Sequence, residues 1–137
     1  MPIDRPLVAA GVILRRPTSA GDRWLLLRAT KHGEWGFPKG HQDPGEDVLG
    51  TALRECAEEC GIALLAVEGD PISLHYRLPG GRDKSVVYFP ALTATSQVVL
   101  SPEHSDAGWM SAKGVVEHLP HSTLRTLFNS YLTTLAR

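Results

Sequence analysis

Short runs of apolar residues near the start of the chain predict a β-hairpin. Residues 7–14 are apolar and contain β-branched side chains, a pattern typical of a buried strand. Residues 24–27 form a second apolar run, and residues 15–22 between the two runs hold proline, serine and glycine. We therefore predict two strands joined by a turn across residues 15–22.

A second hairpin is expected later in the chain. Residues 72–77 and 86–92 have the composition of strands, and the sequence Pro79-Gly80-Gly81 between them is a strong turn signal. Residues 98–100 and 109–110 are predicted as further short strands. Residues 35–43 hold two glycines and a proline, so an irregular segment is expected there.

Three segments have the pattern of helices. Residues 46–60 lack proline, are rich in Ala, Leu and Glu, and are followed by Gly61 as a stop signal. Residues 111–118 predict a short helix and residues 122–135 a longer one. In the longer segment apolar residues recur every three or four positions, at Leu124, Leu127, Phe128, Tyr131, Leu132 and Leu135. Strands with interposed helices indicate an α/β or α+β fold with a mixed sheet.

Composition narrows the class of protein. The 137 residues suit a single domain over 1–137, and 42% hydrophobic residues are too many for a disordered chain. A net charge of −1 argues against a stable nucleic-acid partner. No apolar run approaches the ~20 residues that span a bilayer, and the first seven residues do not resemble a secretory signal. We therefore expect no membrane association and a cytoplasmic location. The oligomeric state stays open.

The helix predicted over residues 46–60 has two distinct faces. Leu49, Ala52, Leu53, Cys56 and Cys60 fall together on a helical wheel and are expected to pack on the sheet. The two cysteines are interpreted as small apolar residues of this face, since no other Cys or His stands near them as a metal ligand.

Three acidic residues, Glu55, Glu58 and Glu59, share an adjoining face of this helix. Like charges at this spacing repel, and they lie near the helix C-terminus, where the helix dipole disfavours negative charge. Arg54 is the cation nearby that can offset them. One interpretation is a solvated acidic face; the other is a divalent cation bound between the acids. Oxygen ligands alone favour Mg²⁺, with Mn²⁺ as the alternative, over zinc.

The glycine-rich loop before this helix completes a longer pattern. Gly40 is followed after five residues by Glu46, and after seven more by Arg-Glu-Cys-Ala-Glu-Glu-Cys-Gly-Ile at residues 54–62. This spacing fills every fixed position of the Nudix box, G-x5-E-x7-R-E-U-x-E-E-x-G-U, where U is apolar. The chain thus resembles the Nudix hydrolases, which implies an α/β/α sandwich around a central mixed sheet.

The resemblance also implies roles for individual residues. Glu55, Glu58 and Glu59 are similar to catalytic metal ligands, assisted by the Gly40 carbonyl. Arg54 corresponds to a residue that orients these glutamates, and Glu46 to a structural or outer-shell acid. Glu103 lies where Nudix enzymes often have a further loop acid, as a metal ligand or a base.

Motifs outside the box resemble the asymmetric diadenosine tetraphosphate hydrolases. They lie at residues 35–41, 44–47, 74–76, 84–89 and 100–104, with Trp109. By position, Tyr76 is similar to a tyrosine that stacks on adenine. Lys39, His41, Lys84 and Tyr88 correspond to residues near the phosphate chain; solvated or half-buried strand positions are the alternative for Lys84 and Tyr88. His104 is interpreted as a plain loop histidine.

Two positions depart from this group. The histidine that usually precedes the tryptophan of the 35–41 motif is replaced by Gly33 and Glu34. The aromatic residue usual before the last helix is best matched by His121, whose ring offers a smaller stacking surface. Both departures concern recognition of the base and the phosphates.

The sequence thus predicts Mg²⁺-dependent hydrolysis of a phosphoanhydride bond in a small nucleoside polyphosphate, converting diadenosine tetraphosphate to AMP and ATP. Other Nudix substrates stay open: a nucleoside or dihydroneopterin triphosphate, a diphosphoinositol phosphate, or an RNA 5′ end. A different class of protein, a Nudix-fold module that binds a nucleotide without cleaving it, is the further alternative.

Overall fold

One mixed sheet forms the centre of the computed structural model, which describes residues 6–136. Its strands are β1 (Leu7–Thr18), β2 (Gly21–Ala29), β3 (Trp35–Gly36), β4 (Lys39–His41), β5 (Ala66–Val67), β6 (Ile72–Arg77), β7 (Asp83–Leu92) and β8 (His104–Met110). The helices are α1 (Val48–Cys60), α2 (Ala112–His118) and α3 (Ser122–Leu135). Strands β1 and β7 pair in parallel, and the other pairs are antiparallel. The predicted mixed sheet is confirmed.

Helices cover both faces of the sheet. On one face, α2 and α3 pack with alternate residues of β1, β2 and β7, such as Ile13, Leu26 and Tyr88. On the other, α1 packs on the intervening residues, among them Val12 and Leu25. This α/β/α layering confirms the predicted fold class. No helix within residues 6–136 has the length and apolar character needed to cross a membrane.

Turns and strand ends differ from the prediction in two places. The turn expected over residues 15–22 is wrong, because β1 and β2 stay paired until Thr18 and Gly21. The Thr18 hydroxyl donates to the Gly21 carbonyl at 2.6 Å and accepts from the Ala20 N–H at 3.2 Å, which closes a two-residue turn. The segment expected to be irregular, residues 35–43, contains the short strands β3 and β4.

The strand predicted over residues 98–100 is also wrong. The N–H groups of Val99 and Ser101 donate to the carbonyls of Cys60 and Glu59, at 3.0 and 3.2 Å. A helix leaves its last carbonyls without intrahelical partners, and this segment satisfies two of them at the end of α1. Residues 109–110, in contrast, form the end of a longer strand, β8.

Helix α1 begins and ends where its sequence suggests, but the face that it packs on the sheet differs from the predicted face. Its N-cap is Asp47, whose side chain accepts from the Gly50 N–H at 2.7 Å. Gly61 ends it in the left-handed conformation, with φ 73°, which favours glycine. Leu49 and Leu53 do not pack on the sheet as expected, since each remains 36% exposed.

A split between β1 and β2 creates the main cleft of the molecule. The two strands pair only over Arg15–Thr18, and beyond that point β1 pairs with β4 while β2 pairs with β3. The segment 35–41 is therefore inserted where the two strands separate. The Val12 N–H donates to the Pro38 carbonyl at 3.0 Å and fixes the insertion.

Candidate active site

A cleft of about 1030 Å³ opens beside the inserted segment. The end of β2, the segment 30–41, α1, β6, β7 and the start of α3 all contribute to its walls. Most residues predicted to act in catalysis or binding border it: Lys39, Gly40, His41, Glu55, Glu59, Tyr76, Tyr88, Glu103 and His121. Arg54, Glu58 and Lys84 do not border it.

Gly40 allows β4 to lie directly on the carboxylate of Glu55. A Cβ at position 40 would collide with the Glu55 carboxyl carbon and oxygens, so the absence of a side chain lets the Glu55 carboxylate occupy this place. Burial raises the pKa of Glu55, and the hydrogen bond from Arg54, at 2.8 Å, opposes that shift. The Gly40 backbone and the Glu55 side chain are thus held together at the wall of the cleft.

Glu59 is the most buried acid of the site. It is 6% exposed, and its Oε1 accepts from the Lys39 backbone N–H at 2.9 Å. Burial, together with the charges of Glu55 and Glu103, raises the pKa of Glu59 to about 8, against the opposing effect of Lys39. A group with this pKa, under the influence of other carboxylates, favours either a proton or a nearby cation.

Arg54 holds the loop before α1 against the helix. Its guanidinium donates to Glu46 at 2.7 Å, to Glu55 at 2.8 Å and to the His41 carbonyl at 3.0 Å. The hydrogen bond from Arg54 lowers the pKa of Glu46 to about 2. Glu46 also accepts from the Thr51 hydroxyl at 2.7 Å. Arg54 thus offsets part of the negative charge of this face, as its position in the sequence suggested.

Glu58 stands apart from the other two glutamates of the box. Its side chain is 56% exposed and accepts from Arg54 at 3.2 Å. No three His, Cys, Asp or Glu side chains among residues 6–136 meet at a common point suited to a metal ion. The structure therefore brings Glu55 and Glu59 to the cleft and leaves Glu58 beside it.

Glu103 reaches the cleft from a distant part of the chain. The segment before it is bound to the end of α1, as described for Val99 and Ser101. The Thr30 N–H donates to the Glu103 carbonyl at 2.9 Å, and the Thr30 hydroxyl donates to the Pro102 carbonyl at 3.1 Å. These contacts bring the Glu103 side chain, which is exposed, to the wall that also holds Glu55 and Glu59.

Basic side chains lie near the acids of the cleft. Burial lowers the pKa of Lys39, and the positive charge of Lys84 lowers it further. Partial burial lowers the pKa of His41, as do the charges of Lys84 and Lys39. Lys84 lies opposite Tyr76 in the β6–β7 ladder. The three side chains form one basic region, although Lys84 is outside the cleft wall.

Aromatic residues occupy the remaining wall. Tyr76 is 45% exposed and open to a ligand, whereas Tyr88 is 1% exposed and packs edge-on against Phe37 with ring centroids 5.7 Å apart. Burial raises the pKa of the Tyr88 hydroxyl. His121 is exposed, and its Nε2 lies 3.2 Å from Glu34 Oε2.

Sequence reasoning assigned no role to several residues of the cleft: Lys31, His32, Glu34, Trp35, Phe37, Leu74, His104 and Leu124. They come from the β2–β3 loop, β3, the β3–β4 connection, β6, β8 and α3, so no common spacing marks them. The motifs at residues 35–41, 74–76 and 100–104 contained four of them, and Glu34 lies just before the first motif. His104 was interpreted as a loop residue and is in fact the first residue of β8.

Comparison with known proteins assigns the chain to a family. The NUDIX domain profile matches residues 5–128. The asymmetrical bis(5′-nucleosyl)-tetraphosphatase of Caenorhabditis elegans is 32% identical over 132 residues, 93% of this chain and 96% of that protein. The Rattus norvegicus protein of the same name is 41% identical over 93 residues, 64% of this chain and 63% of its own length. A crystal structure of a C. elegans Ap4A hydrolase binary complex superposes with a TM-score of 0.88 at 32% identity, covering 95% of this chain and 98% of that one.

Proposed function

This chain belongs to the NUDIX family of hydrolases, and from that premise we propose that it cleaves dinucleoside tetraphosphates, converting diadenosine tetraphosphate to AMP and ATP. The observation that carries the proposal is the pairing, in one cleft, of the carboxylates Glu55, Glu59 and Glu103 with the basic residues Lys39 and His41; the charge of Lys84 acts on both basic residues from outside the cleft wall. The relatives from C. elegans and R. norvegicus, named as tetraphosphatases, support this choice of substrate.

A divalent cation fits the acidic side of the cleft. The available donors are carboxylate oxygens and the Gly40 carbonyl, which suit Mg²⁺ or Mn²⁺. Glu55 and Glu59, with their raised pKa values, would gain most from a positive charge between them. We assign Glu55, Glu58, Glu59, Glu103 and the Gly40 carbonyl as its ligands. Glu58 binds the ion after its exposed ion pair with Arg54 breaks, and breaking such a surface pair costs little free energy.

The bound ion would neutralise phosphate oxygens and lower the pKa of a water molecule. The side chains contribute positioning, which supplies much of the rate enhancement in phosphoryl transfer. Water attacks phosphorus as the bridging P–O bond breaks, and one of the box glutamates or Glu103 accepts the proton. Arg54 keeps Glu55 in place, and Lys39, His41 and Lys84 hold the outer phosphates as positive charges.

Tyr76 provides the stacking surface for a base. Its ring is half exposed and borders the same cleft as His121. Tyr88, fully buried behind Phe37, lies under the phosphate region and supports the wall of the cleft. A stacked base at Tyr76 places the phosphates beside Lys84, its cross-strand neighbour.

Product analysis tests the proposal. The purified chain is incubated with diadenosine tetraphosphate and Mg²⁺, and the products are separated and identified by mass. We expect AMP and ATP in equal amounts. The variants Glu58→Gln and Glu59→Gln should lose most turnover and keep the far-UV circular dichroism of the wild type. Glu117→Gln, an exposed acid of α2, serves as the matched control.

Two outcomes would contradict the proposal. A marked preference for a mononucleotide triphosphate would defeat the substrate assignment. Turnover near that of the wild type in both glutamate variants would defeat the metal-site assignment.

We also propose a cytoplasmic location. Cys56 and Cys60 are free and buried, with their Sγ atoms 3.6 Å apart. Unpaired thiols are typical of a reducing compartment.

A further inference from the structure

A hydrogen bond joins two distant loops at the wall of the cleft. Glu34, in the β2–β3 loop, and His121, before α3, are 87 positions apart in the chain, and His121 Nε2 lies 3.2 Å from Glu34 Oε2. Both residues border the cleft. Surface ion pairs of this kind contribute little to stability. The arrangement therefore calls for an explanation in terms of what the cleft binds.

The backbone around Glu34 is firmly held. The Ala29 N–H donates to the Glu34 carbonyl and the Gly33 N–H donates to the Ala29 carbonyl, both at 2.9 Å. Arg28 Nε donates to the Gly33 carbonyl, also at 2.9 Å. A carboxylate on such a loop is positioned before a ligand arrives, which lowers the entropic cost of binding.

The Glu34 carboxylate keeps unused capacity to accept hydrogen bonds. His32 Nδ1 lies 3.8 Å from Glu34 Oε2, but it accepts from the Glu34 N–H at 3.2 Å and so has no proton for the carboxylate. Among the described residues, Glu34 Oε1 has no hydrogen-bond partner, and an ionised carboxylate has about four acceptor positions. A ligand group beside Glu34 can therefore bond to it only by donating.

The neighbouring wall indicates which part of a nucleotide lies here. Trp35, Leu124, His121 and Tyr76 border the same cleft and offer aromatic and apolar surface. Phosphates are disfavoured beside a carboxylate because like charges repel. The base is the part of a nucleotide that combines flat apolar faces with N–H donors at its edge.

Among the common bases, guanine matches a carboxylate best. Its N1–H and its N2 amino group are adjacent donors, so the two can bond to both carboxylate oxygens. Adenine presents its N6 amino group beside N1, an acceptor whose lone pair a carboxylate repels. Cytosine has the same donor–acceptor order, and the single N3–H of uracil lies between two carbonyls. Side-chain groups that match a base edge in this bidentate manner discriminate strongly against other bases.

We propose that Glu34, held by His121, selects guanine at the base subsite beside Tyr76. This inference rests on the proposed dinucleoside tetraphosphate hydrolysis and defines its substrate class further. Diadenosine tetraphosphate is still cleaved, because the phosphate chain and the acids that act on it are the same. A guanosine at this subsite raises kcat/KM by about tenfold, the low end of the range for bidentate recognition, since Glu34 is partly exposed to water.

The test compares diguanosine and diadenosine tetraphosphate as substrates, with kcat/KM measured for each. The wild type should favour the guanosine compound by about tenfold. Glu34→Gln replaces one acceptor by a donor and so matches the N6–N1 edge of adenine; it should reverse the preference. Glu34→Ala should abolish the preference without reversing it. Diinosine tetraphosphate, which lacks the N2 amino group, should fall between the two substrates for the wild type.

His121→Phe keeps an aromatic ring and removes the contact with Glu34, so it should reduce the guanine preference. Glu117→Gln should leave the ratio unchanged. A purely structural role of Glu34 would lower both kcat/KM values equally, and an unchanged ratio in Glu34→Gln would overturn the inference. Failure to cleave either compound into a nucleoside monophosphate and triphosphate would instead overturn the proposed function.

Discussion

Glu59 is a buried acid whose ionised form destabilises the fold. Glu59 is 6% exposed, and its carboxylate accepts a hydrogen bond from the Lys39 N–H at 2.9 Å. An ionised carboxylate in such a place is destabilising unless it is compensated. We interpret this cost as the consequence of placing a strong cation ligand at the wall of the cleft.

Glu59→Gln is expected to stabilise the metal-free protein while it removes hydrolysis. The pKa of Glu59 is raised to about 8 in the fold, so the native state loses stability as pH rises from the ordinary carboxyl pKa of 4.5 towards 8. The gain from Gln should be absent near pH 4.5 and reach roughly 1 to 3 kcal/mol at pH 9. Urea unfolding with EDTA at several pH values measures it, and a gain that falls with pH would refute the assignment.

Lys84 is expected to act on substrate binding through its charge. Lys84→Ala should lower kcat/KM for diadenosine tetraphosphate by roughly tenfold, mainly through a higher KM, because a phosphate contact is lost. Steady-state kinetics test this. Arg77→Ala, on the same hairpin but 72% exposed and bound to Asp83, is the matched control. Equal effects of the two changes would show that Lys84 has no specific role.

At the scale of elements, the insertion of β3 and β4 between β1 and β2 determines the shape of the site. The insertion carries Lys39 and Gly40 onto α1, where they contact Glu59 and Glu55. Helix α1 is oriented by these contacts as much as by its apolar residues. For this reason Thr51 and Glu59 are buried while Leu49 and Leu53 are partly exposed.

Gly40→Ala should disrupt this junction. The added Cβ collides with the Glu55 carboxylate, so that carboxylate must leave its place beside β4. Displacements of about 1 Å at a catalytic site cost about 100-fold in rate, which is the loss expected in kcat. Gly36→Ala in neighbouring β3 is the control. A Cβ at position 36 meets no atom within 4 Å, so this variant should have the same stability to unfolding as the wild type. Wild-type activity in Gly40→Ala would exclude the close approach.

At the scale of the whole molecule, the two cores do not depend on a metal. One core lies under α2 and α3 and the other under α1, and the residues of both are buried and apolar. Arg54 neutralises Glu46 and Glu55, and the raised pKa of Glu59 favours its neutral form when no cation is bound. We therefore expect the sandwich to stay intact when a metal is removed.

EDTA should abolish hydrolysis but preserve the fold. We expect an unchanged far-UV circular dichroism spectrum in EDTA. The midpoint of thermal unfolding should lie within about 5 °C of the midpoint measured in the same buffer without EDTA or added metal. Addition of Mg²⁺ or Mn²⁺ should restore activity and raise the midpoint, since an ion that binds only the native state stabilises it. Unfolding on chelation would mean that the metal is structural.

The sequence by itself determined the family, the layered fold and the helix that carries the acids. Local periodicity was sufficient for α3, where Leu124, Leu127, Phe128 and Tyr131 are all buried as predicted. It also located the end of α1 at Gly61. These features depend on interactions between residues close in the chain, and spacing records such interactions directly.

Only the tertiary structure decided which side chains share the cleft. Periodicity shows which residues lie on one face of α1, but the neighbours of that face come from elsewhere: Lys39 from β4, and Glu103 through its link to Thr30. The pairing of Arg54 with Glu58 follows from their i,i+4 spacing, but the contact between Glu34 and His121 does not. Such long-range contacts follow from the packing of distant segments, and no local pattern in the sequence encodes them.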